Sequence, residues 1–431
     1  ACTVARILGT LLHLIFCAGF FKNKKHTNDI QKIDYERNFY MENNSSYYNL
    51  PEACATLVVG ASGSGKTQNF AKPAVLNRGL SLHEQSFVIT DKNGEILKTC
   101  APVLKADGYD VMYLNLTKSS LDGIDARACH YNPFAHIQTN YGLSFAVDAF
   151  YNVITDENEK HSFWTDVEKH LLTALLEAMR IMNLADWNSA GNLFLQVAEF
   201  LKAAPEHAEN KLAEIDSLFE KIGEINFSCT AKKEYNIFSD STPAHVKDTI
   251  LLSLSGRLSV FESDFCKNLM SDDNIDFSAL NNGKTAFFII ISPDSRYTFF
   301  TPMLLHQLFM FFLKSPSPEH PARFILDNFA DIGYISGLFT CMGISERFKI
   351  DILAQSVSQI CTLYGRSISE LRKYFDTGVC FSSCFKEDAQ YFESLSKVNI
   401  SSMPKDKCLV CMNNSKRFSK KSFLAEKISA Q

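Results

Sequence analysis

Short apolar runs alternate with segments of helical period along most of the chain. Six of the runs are rich in β-branched and aromatic residues and apolar on both faces, at positions 56–60, 86–90, 109–116, 284–292, 322–327 and 349–355. Runs of this kind, separated by helical patterns, are typical of the buried parallel strands of an α/β protein. The hydrophobic pattern therefore predicts an α/β fold.

Between the third and fourth runs the pattern has a helical period. Apolar residues recur at every fourth position and predict an amphipathic helix over 163–182, with Phe163, Val167, Leu171, Leu175 and Met179 on one face. The pattern continues over 192–222, where Pro205 marks a break. We predict a sheet domain in two parts, residues 56–183 and 248–431, the second including the C-terminal tail. An all-α insertion at 184–247 separates them.

The first 55 residues differ in character from the rest. Residues 7–21 are apolar and are followed directly by a basic cluster that starts at Lys22. A spanning helix needs roughly 20 apolar residues, and Arg6 and His13 make this run too short. We interpret residues 1–21 either as the end of a membrane anchor with its basic side in the cytoplasm or as a buried amphipathic helix. Residues 22–55 are polar and turn-rich, as in a linker.

Composition adds exclusions. The 431 residues are 46% hydrophobic and 21% charged, which excludes a disordered, collagen-like or many-spanning protein. The net charge of −5 gives no general attraction for nucleic acid, so any such contact must come from local patches. The 13 cysteines show no disulfide spacing. Where they alternate with apolar residues, at 377–385 and 406–412, they favour buried strands over a zinc site.

The strongest chemical signal is GASGSGKT at residues 60–67, which fits GxxxxGK[ST] between a strand and a helix-compatible segment. Such a loop turns its backbone N–H groups toward phosphates, while Lys66 reaches the β and γ oxygens and Thr67 binds Mg²⁺. We therefore expect ATP and Mg²⁺ to bind here. A second GKT at 283–285 precedes a strand and is predicted to be incidental. The candidate nucleotide-binding residues are Gly60, Gly63, Ser64, Gly65, Lys66, Thr67 and Gln68.

A P-loop ATPase also needs a strand that ends in Asp beside the Mg²⁺. Residues 323–327 (RFILD) form such a strand, so Asp327 is a catalytic candidate together with Lys66, and a metal-binding candidate together with Thr67. The alternative is an Asp that only caps a turn. The next residue is Asn328, where such enzymes usually carry a Glu that polarises the attacking water.

The order of motifs resembles the coupling ATPases of conjugative type IV secretion, the TraG/VirD-type DNA-transfer proteins. The motifs are GASGSGKT (60–67), TDKNGE (90–95), HYNPF (130–134), SFW (162–164), FILDNFADIG (324–333) and ILAQS (352–356). The resemblance implies a hexameric motor at the bacterial cell membrane, with a cytoplasmic RecA-like P-loop domain and an inserted all-α domain. It would recruit relaxase–DNA or protein substrates and drive single-stranded DNA to the secretion channel. For a soluble fragment, the negative net charge and the absence of an anchor predict a monomer.

Comparison with the motifs of this family, residue by residue, shows one further match and two departures. Gln355 matches the family's γ-phosphate sensor and is a third catalytic candidate. Asn328 replaces the usual Glu, and an amide cannot take a proton from water. Ile344 stands where the family has an Arg that reaches the neighbouring subunit, with Arg347 three residues later. Two functions therefore stay open at this point: an ATP-driven motor, and a nucleotide-binding docking protein that does not hydrolyse ATP.

Overall fold

The strands form one sheet of ten in the order β10-β9-β8-β1-β7-β6-β2-β5-β3-β4. Pairing is parallel from β8 through to β4, and antiparallel for β8–β9 and β9–β10. In this computed structural model the strands are β1 Ala55–Val59, β2 Phe87–Asp91, β3 Asp110–Asn115, β4 Arg127–Cys129, β5 Thr285–Ile290, β6 Ala322–Leu326, β7 Phe348–Ala354, β8 Thr377–Phe381, β9 Lys407–Asn413 and β10 Lys420–Glu426.

The structure describes most of the chain from residue 55 onward. The described ranges are 55–76, 85–137, 140–155, 162–183, 191–202, 208–225, 229–316, 321–344, 347–381, 384–396, 399–400, 403, 407–413 and 420–426. Residues 1–54, with the predicted apolar segment and nearly all of the predicted linker 22–55, lie outside them. Within the described ranges, no helix combines the length and the apolar character needed to cross a bilayer.

The α/β prediction is confirmed. The six predicted runs are β1, β2, β3, β5, β6 and β7. Of the cysteine-containing runs, 406–412 corresponds to β9 and the first part of 377–385 to β8, whereas Cys384 lies after the end of β8 at Phe381. Side chains alternate between the two faces of the sheet, so that Leu57 and Val59 pack on one face and Val58 on the other. Both faces are covered, which is why these strands are apolar throughout rather than alternating with polar residues.

Helices cover both faces of the sheet and fill the long connection between β4 and β5. Their bounds are Lys72–Leu76, Glu95–Ala106, Asn140–Ile154, Phe163–Met182, Leu193–Leu201, Ala208–Ile225, Thr230–Ser241, Ala244–Leu258, Asp264–Leu269, Phe277–Asn281, Phe300–Lys314, Phe329–Ile332, Leu338–Ile344, Val357–Tyr364, Ile368–Leu371 and Lys386–Ser396. Helices Glu95–Ala106 and Phe300–Lys314 pack on opposite faces.

The predicted helix over 163–182 is confirmed with these bounds, and Ser162 caps it by accepting the N–H of Thr165. Phe163, placed on the apolar face by its spacing, is instead half exposed beside Trp164. Phenylalanine packing fills the helical region, for example the stacked rings of Phe194 and Phe261 at 4.4 Å. Described helices run from Asn140 to Asn281 between β4 and β5. The predicted domain limits, 56–183, 184–247 and 248–431, stay predictions.

The motif His130–Phe134, called the junction from here on, ties the point where the chain leaves the sheet to the point where it returns. His130 N donates to Asn274 Oδ1 at 2.9 Å, and Asn132 N donates to Asp273 Oδ2 at 2.9 Å. The side-chain Nδ2 of Asn132 also donates to the carbonyl of Gly191 at 2.9 Å. The junction therefore has a structural role between β4 and the helices.

Candidate functional site

The loop Gly60–Thr67 connects β1 to a π-helical turn, Thr67–Ala71, and then to helix Lys72–Leu76. Gly63 and Gly65 have φ of 74° and 93°, which L residues with side chains rarely adopt. A Cβ at Gly60 would lie 2.9 Å from Cβ of Phe381, so the close approach of β8 requires glycine there. The glycines of the motif thus determine the path of the loop.

Lys66 folds back over the loop. Its ammonium donates to the carbonyls of Gly60 at 2.5 Å and Ala61 at 3.1 Å, and the residue is only 8% exposed. Burial lowers the pKa of Lys66, and the charge of Asp327 partly opposes this effect. A buried cation that has mainly carbonyl partners gains a stronger partner when an anion enters the loop.

Asp327 follows β6 and meets Thr67, which is 260 positions away in the chain. The Thr67 hydroxyl donates to Asp327 Oδ2 at 2.6 Å, and Asn328 N donates to Oδ1 at 2.9 Å. Thr90 anchors the same turn by donating to the Asp327 carbonyl at 2.8 Å. Burial raises the pKa of Asp327, while these hydrogen bonds lower it. The carboxyl ends of β1, β6 and β2 therefore meet at one edge of the sheet, where parallel α/β sheets bind ligands.

The donor set fits Mg²⁺ and a polyphosphate. A Thr hydroxyl and a carboxylate are oxygen ligands of the kind that Mg²⁺ prefers, and Mg²⁺ commonly completes its shell with phosphate oxygens and water. Among the described residues, no group of three or more His, Cys, Asp and Glu side chains could hold a metal ion. The residues that would hold a divalent cation are Thr67 and Asp327, whose side-chain oxygens are 2.6 Å apart.

The two glutamine candidates occupy different surroundings. The Gln68 side chain bonds to Glu95 and accepts from Lys72 at 3.1 Å, which leaves its backbone N–H as the group that could contact a phosphate. Gln355 follows β7, whose last residue, Ala354, accepts the N–H of Gly60 at 3.3 Å. Gln355 therefore lies next to the start of the loop.

Asn328 lies beside two charged residues that the sequence analysis did not single out. Its backbone is left-handed, with φ 53° and ψ 46°, and its Nδ2 donates to Asp331 Oδ2 at 3.3 Å. Lys92, which follows β2, donates to the same oxygen at 2.7 Å. The sequence signal available for Asp331 was the spacing Asn-x-x-Asp, which directly follows a predicted strand that ends in Asp. Nothing in the sequence pointed to Lys92 as its partner.

Arg347 is engaged within its own chain. Its Nη1 donates to the carbonyls of Phe312 at 3.2 Å and Leu313 at 2.8 Å, and it also bonds to the Ser315 carbonyl. Phe312 and Leu313 lie in the last turn of helix Phe300–Lys314, and Ser315 directly follows it. Carbonyls at the end of a helix have no partner within the helix. Arg347 therefore caps this helix in the structure.

Asp91, in the motif TDKNGE, also has a structural role. Its carboxylate accepts the N–H groups of Asn93 at 3.3 Å, Glu95 at 3.0 Å and Leu97 at 2.9 Å, at the start of helix Glu95–Ala106. Burial raises the pKa of Asp91, and these backbone hydrogen bonds oppose the rise. The residue holds the turn that carries Lys92.

Solved structures of the bacterial conjugative coupling protein TrwB have a similar fold. The unbound monoclinic form of TrwBdeltaN70 matches with a TM-score of 0.60 and 16% identity, over 88% of this chain and 85% of that one. TrwB with the non-hydrolysable ATP analogue ADPNP matches with 0.60 and 16%, over 88% and 86%. TrwB with ADP and Mg²⁺ matches with 0.59 and 16%, over 88% and 85%. At 16% identity, the similarity to TrwB shows a shared fold and no more than that.

Comparison with curated proteins gave no match. A family model for type IV secretory system conjugative DNA transfer matches residues 14–398, which is most of the chain and includes every candidate site residue. The phosphate loop, Asp327 and the sheet that brings them together all lie within this range. The chain therefore belongs to the type IV secretory system conjugative DNA transfer family.

Proposed function

We propose that this chain binds ATP with Mg²⁺ at residues 60–67 and uses its hydrolysis to drive single-stranded DNA during conjugative transfer. The observation that carries the proposal is the hydrogen bond of 2.6 Å between Thr67 and Asp327, with Lys66 buried beside them. It joins the two halves of a P-loop ATPase site across 260 positions of sequence. The nucleotide complexes of TrwB support ATP and Mg²⁺ as the ligands.

Each candidate residue takes one role in this proposal. The backbone N–H groups of the loop bind the phosphates, and Lys66 stabilises the charge that develops on the β and γ oxygens. Thr67 and Asp327 hold Mg²⁺, which neutralises phosphate charge when it is bound. Gln355, beside the loop, would sense whether the γ-phosphate is present.

The proposal extends to the assembly on the strength of family membership. The chain acts as a hexamer that an N-terminal anchor holds at the bacterial membrane, with the ATPase domain in the cytoplasm. Its partners are single-stranded DNA, a relaxase or protein substrate, and the components of the secretion channel. A fragment without its anchor is expected to be a monomer.

A second candidate function rests on Asn328. An amide supplies neither a general base nor the charge of the usual Glu. This favours a docking protein that binds ATP and a protein substrate without turning ATP over. The two candidates differ in steady-state hydrolysis, not in nucleotide binding.

The test is ATP hydrolysis by the 431-residue chain with and without single-stranded DNA. We expect turnover that DNA accelerates, with DNA binding that weakens steeply as salt rises. Lys66→Ala should abolish turnover, whereas Lys284→Asn in the incidental GKT should leave it unchanged. Asn is chosen at position 284 because the backbone there has φ 54°. Nucleotide binding without turnover would support the docking protein instead.

A further inference from the structure

We propose that Asn328 positions the water that attacks ATP, and that Asp331 and Lys92 hold its amide in the required orientation. The inference rests on the hydrolysis proposed above and assigns a residue to the step that the usual Glu would otherwise perform. Its basis is the set of contacts at the carboxyl ends of β6 and β2.

Asn328 has the right position relative to the nucleotide site. Its N–H donates to Asp327 Oδ1 at 2.9 Å, while the other oxygen of the same carboxylate accepts from Thr67 at 2.6 Å. The residue is thus one peptide unit from the carboxylate that would hold Mg²⁺. P-loop ATPases usually carry the water-polarising Glu at this position, so the proposal places the Asn328 side chain beside the γ-phosphate.

The contact with Asp331 determines which end of the amide is available. An Asn amide has one donor end and one acceptor end. Because Nδ2 donates to the Asp331 carboxylate at 3.3 Å, Oδ1 is the end left for a water molecule. The reversed amide would place two oxygens against each other, so the carboxylate selects one of the two orientations.

Asp331 is itself held from two directions. Its N–H donates to the carbonyl of Asn328 at 2.8 Å, which closes the turn, and Lys92 donates to its Oδ2 at 2.7 Å. Lys92 directly follows β2, the strand that pairs with β6. The side chains of Lys92 and Asp331 are 45% and 38% exposed, so the cluster is open to water.

An oriented amide is sufficient for this role. In GTPases a Gln orients the attacking water without acting as a strong base. Here the water oxygen would bond to the γ-phosphorus as the bond from that phosphorus to the β–γ bridging oxygen breaks. ADP leaves with the bonding electron pair, and the proton of the water passes to the phosphate product. Asn328 contributes orientation and no proton transfer.

The backbone explains why an amide suits this position. With φ 53° Asn328 is left-handed, a conformation that Asn adopts more readily than Glu. A Glu would also place a second carboxylate beside Asp331. We therefore expect Asn328→Glu alone to fail to raise turnover. The pair Asn328→Glu with Asp331→Asn removes the repulsion and should hydrolyse faster than Asn328→Glu alone.

The experiment measures kcat, nucleotide Kd and Tm for the full chain and its variants. Asn328→Ala and Asp331→Ala should each lower kcat about tenfold or more, with Kd for a fluorescent ATP analogue nearly unchanged. The double variant should be no worse than either single one, because the two residues act as a unit. Lys92→Met should have a smaller effect in the same direction. Asp125→Ala is the matched control and should change nothing, because Asp125 is 81% exposed and its ion pair is with Lys105 of helix Glu95–Ala106.

Three results would overturn the inference. The first is an unchanged kcat in Asn328→Ala or Asp331→Ala while Lys66→Ala is inactive, which leaves the motor proposal standing. The second is additive losses in the double variant, which would mean that the residues act separately. The third is no turnover by the natural chain despite nucleotide binding, which removes the motor proposal as well. If kcat and Tm fall together, Asp331→Asn separates loss of water positioning from loss of stability, because it keeps the shape of the side chain. A lower kcat with an unchanged Tm in this variant supports the inference, and an unchanged kcat overturns it.

Discussion

At the scale of single residues, burial controls the charges of the site. Lys66 and Asp327 are 8% and 4% exposed. Burial lowers the pKa of Lys66 and raises the pKa of Asp327, which favours the neutral form of each. Anionic phosphates and a divalent cation would favour the charged forms of both. Ligand binding and the charge state of this pair are therefore coupled, because bound phosphates and cation would restore the stabilisation of charge that both side chains lose on burial.

Asp388 provides a pH-dependent test at the same scale. It is fully buried on helix Lys386–Ser396, and Oδ1 accepts the N–H of Val357 at 2.9 Å. Burial raises the pKa of Asp388 from 3.8 to about 6. Because the folded protein holds this proton more tightly than the unfolded chain, stability from this group is present below about pH 4 and is lost as pH rises through about 6.

We expect Asp388→Asn to keep the hydrogen bond to Val357 and remove the charge. At pH 7.5 the variant should be more stable by roughly 1–3 kcal/mol, and the fall in Tm between pH 4 and 7 should be shallower. Thermal unfolding followed across this range by circular dichroism measures both. Asp125→Asn, at an exposed position, is the control. An unchanged slope would show that Asp388 does not titrate in this range.

At the scale of elements, the ends of helices account for several polar residues that sequence motifs had associated with function. Asp91 caps the start of helix Glu95–Ala106, and Ser162 caps the start of Phe163–Met182. Arg347 caps the end of Phe300–Lys314. Terminal N–H and C=O groups have no partners within a helix, so nearby side chains are recruited to them.

Substitution of Arg347 distinguishes a structural role of this residue from a catalytic role in a neighbouring subunit. Because its guanidinium binds helix-end carbonyls, Arg347→Met should lower stability by about 1.5–3 kcal/mol and lower Tm accordingly. The kcat of the folded protein should stay unchanged. Lys314→Met, at an exposed position on the same helix end, should have little effect on Tm. A large loss of kcat with an unchanged Tm would instead identify Arg347 as a catalytic group supplied to another copy.

At the scale of the whole molecule, the junction links the sheet to the helical region. Asn132 makes three contacts at once: with Asp273 where the chain returns, with Gly191 in the helical region, and with Phe134 in the junction itself. The side chain of Asn132 bonds to Gly191, 59 positions away in sequence, while its backbone N–H bonds to Asp273. A residue with this position affects how the helices are held on the sheet more than it affects the nucleotide site.

Asn132→Ala tests this link. It removes the bonds that the side chain makes to Gly191 and Phe134, and should cost about 1–3 kcal/mol. Hydrogen exchange should accelerate across the helices between Asn140 and Asn281 more than in β1, β6 and β7. Asn115→Ala is the matched control, because the side chain of Asn115, the last residue of β3, bonds locally to Thr117 and Ser119 in the turn that follows. Equal acceleration everywhere would contradict a role specific to this link.

The sequence by itself determined the features that depend on neighbouring residues. Strands buried on both faces are apolar over five or six consecutive positions, and the helix at 163–182 has its own period. The glycines of the phosphate loop determine its turn locally, and Asp327 was predicted from the end of a single strand. The α/β class and the chemistry of the loop could therefore be predicted without the fold.

Only the tertiary structure decided which side chains meet. Lys92 and Asp331 are 239 positions apart, and they form an ion pair because β2 and β6 are neighbours in the sheet. Strand order is a property of the whole packed molecule, so no local pattern could predict this contact. The same reason explains Arg347, which is near a family position in sequence but binds helix-end carbonyls 32 to 35 positions away. Periodicity and turns are local, whereas contacts between side chains depend on how all the elements pack together.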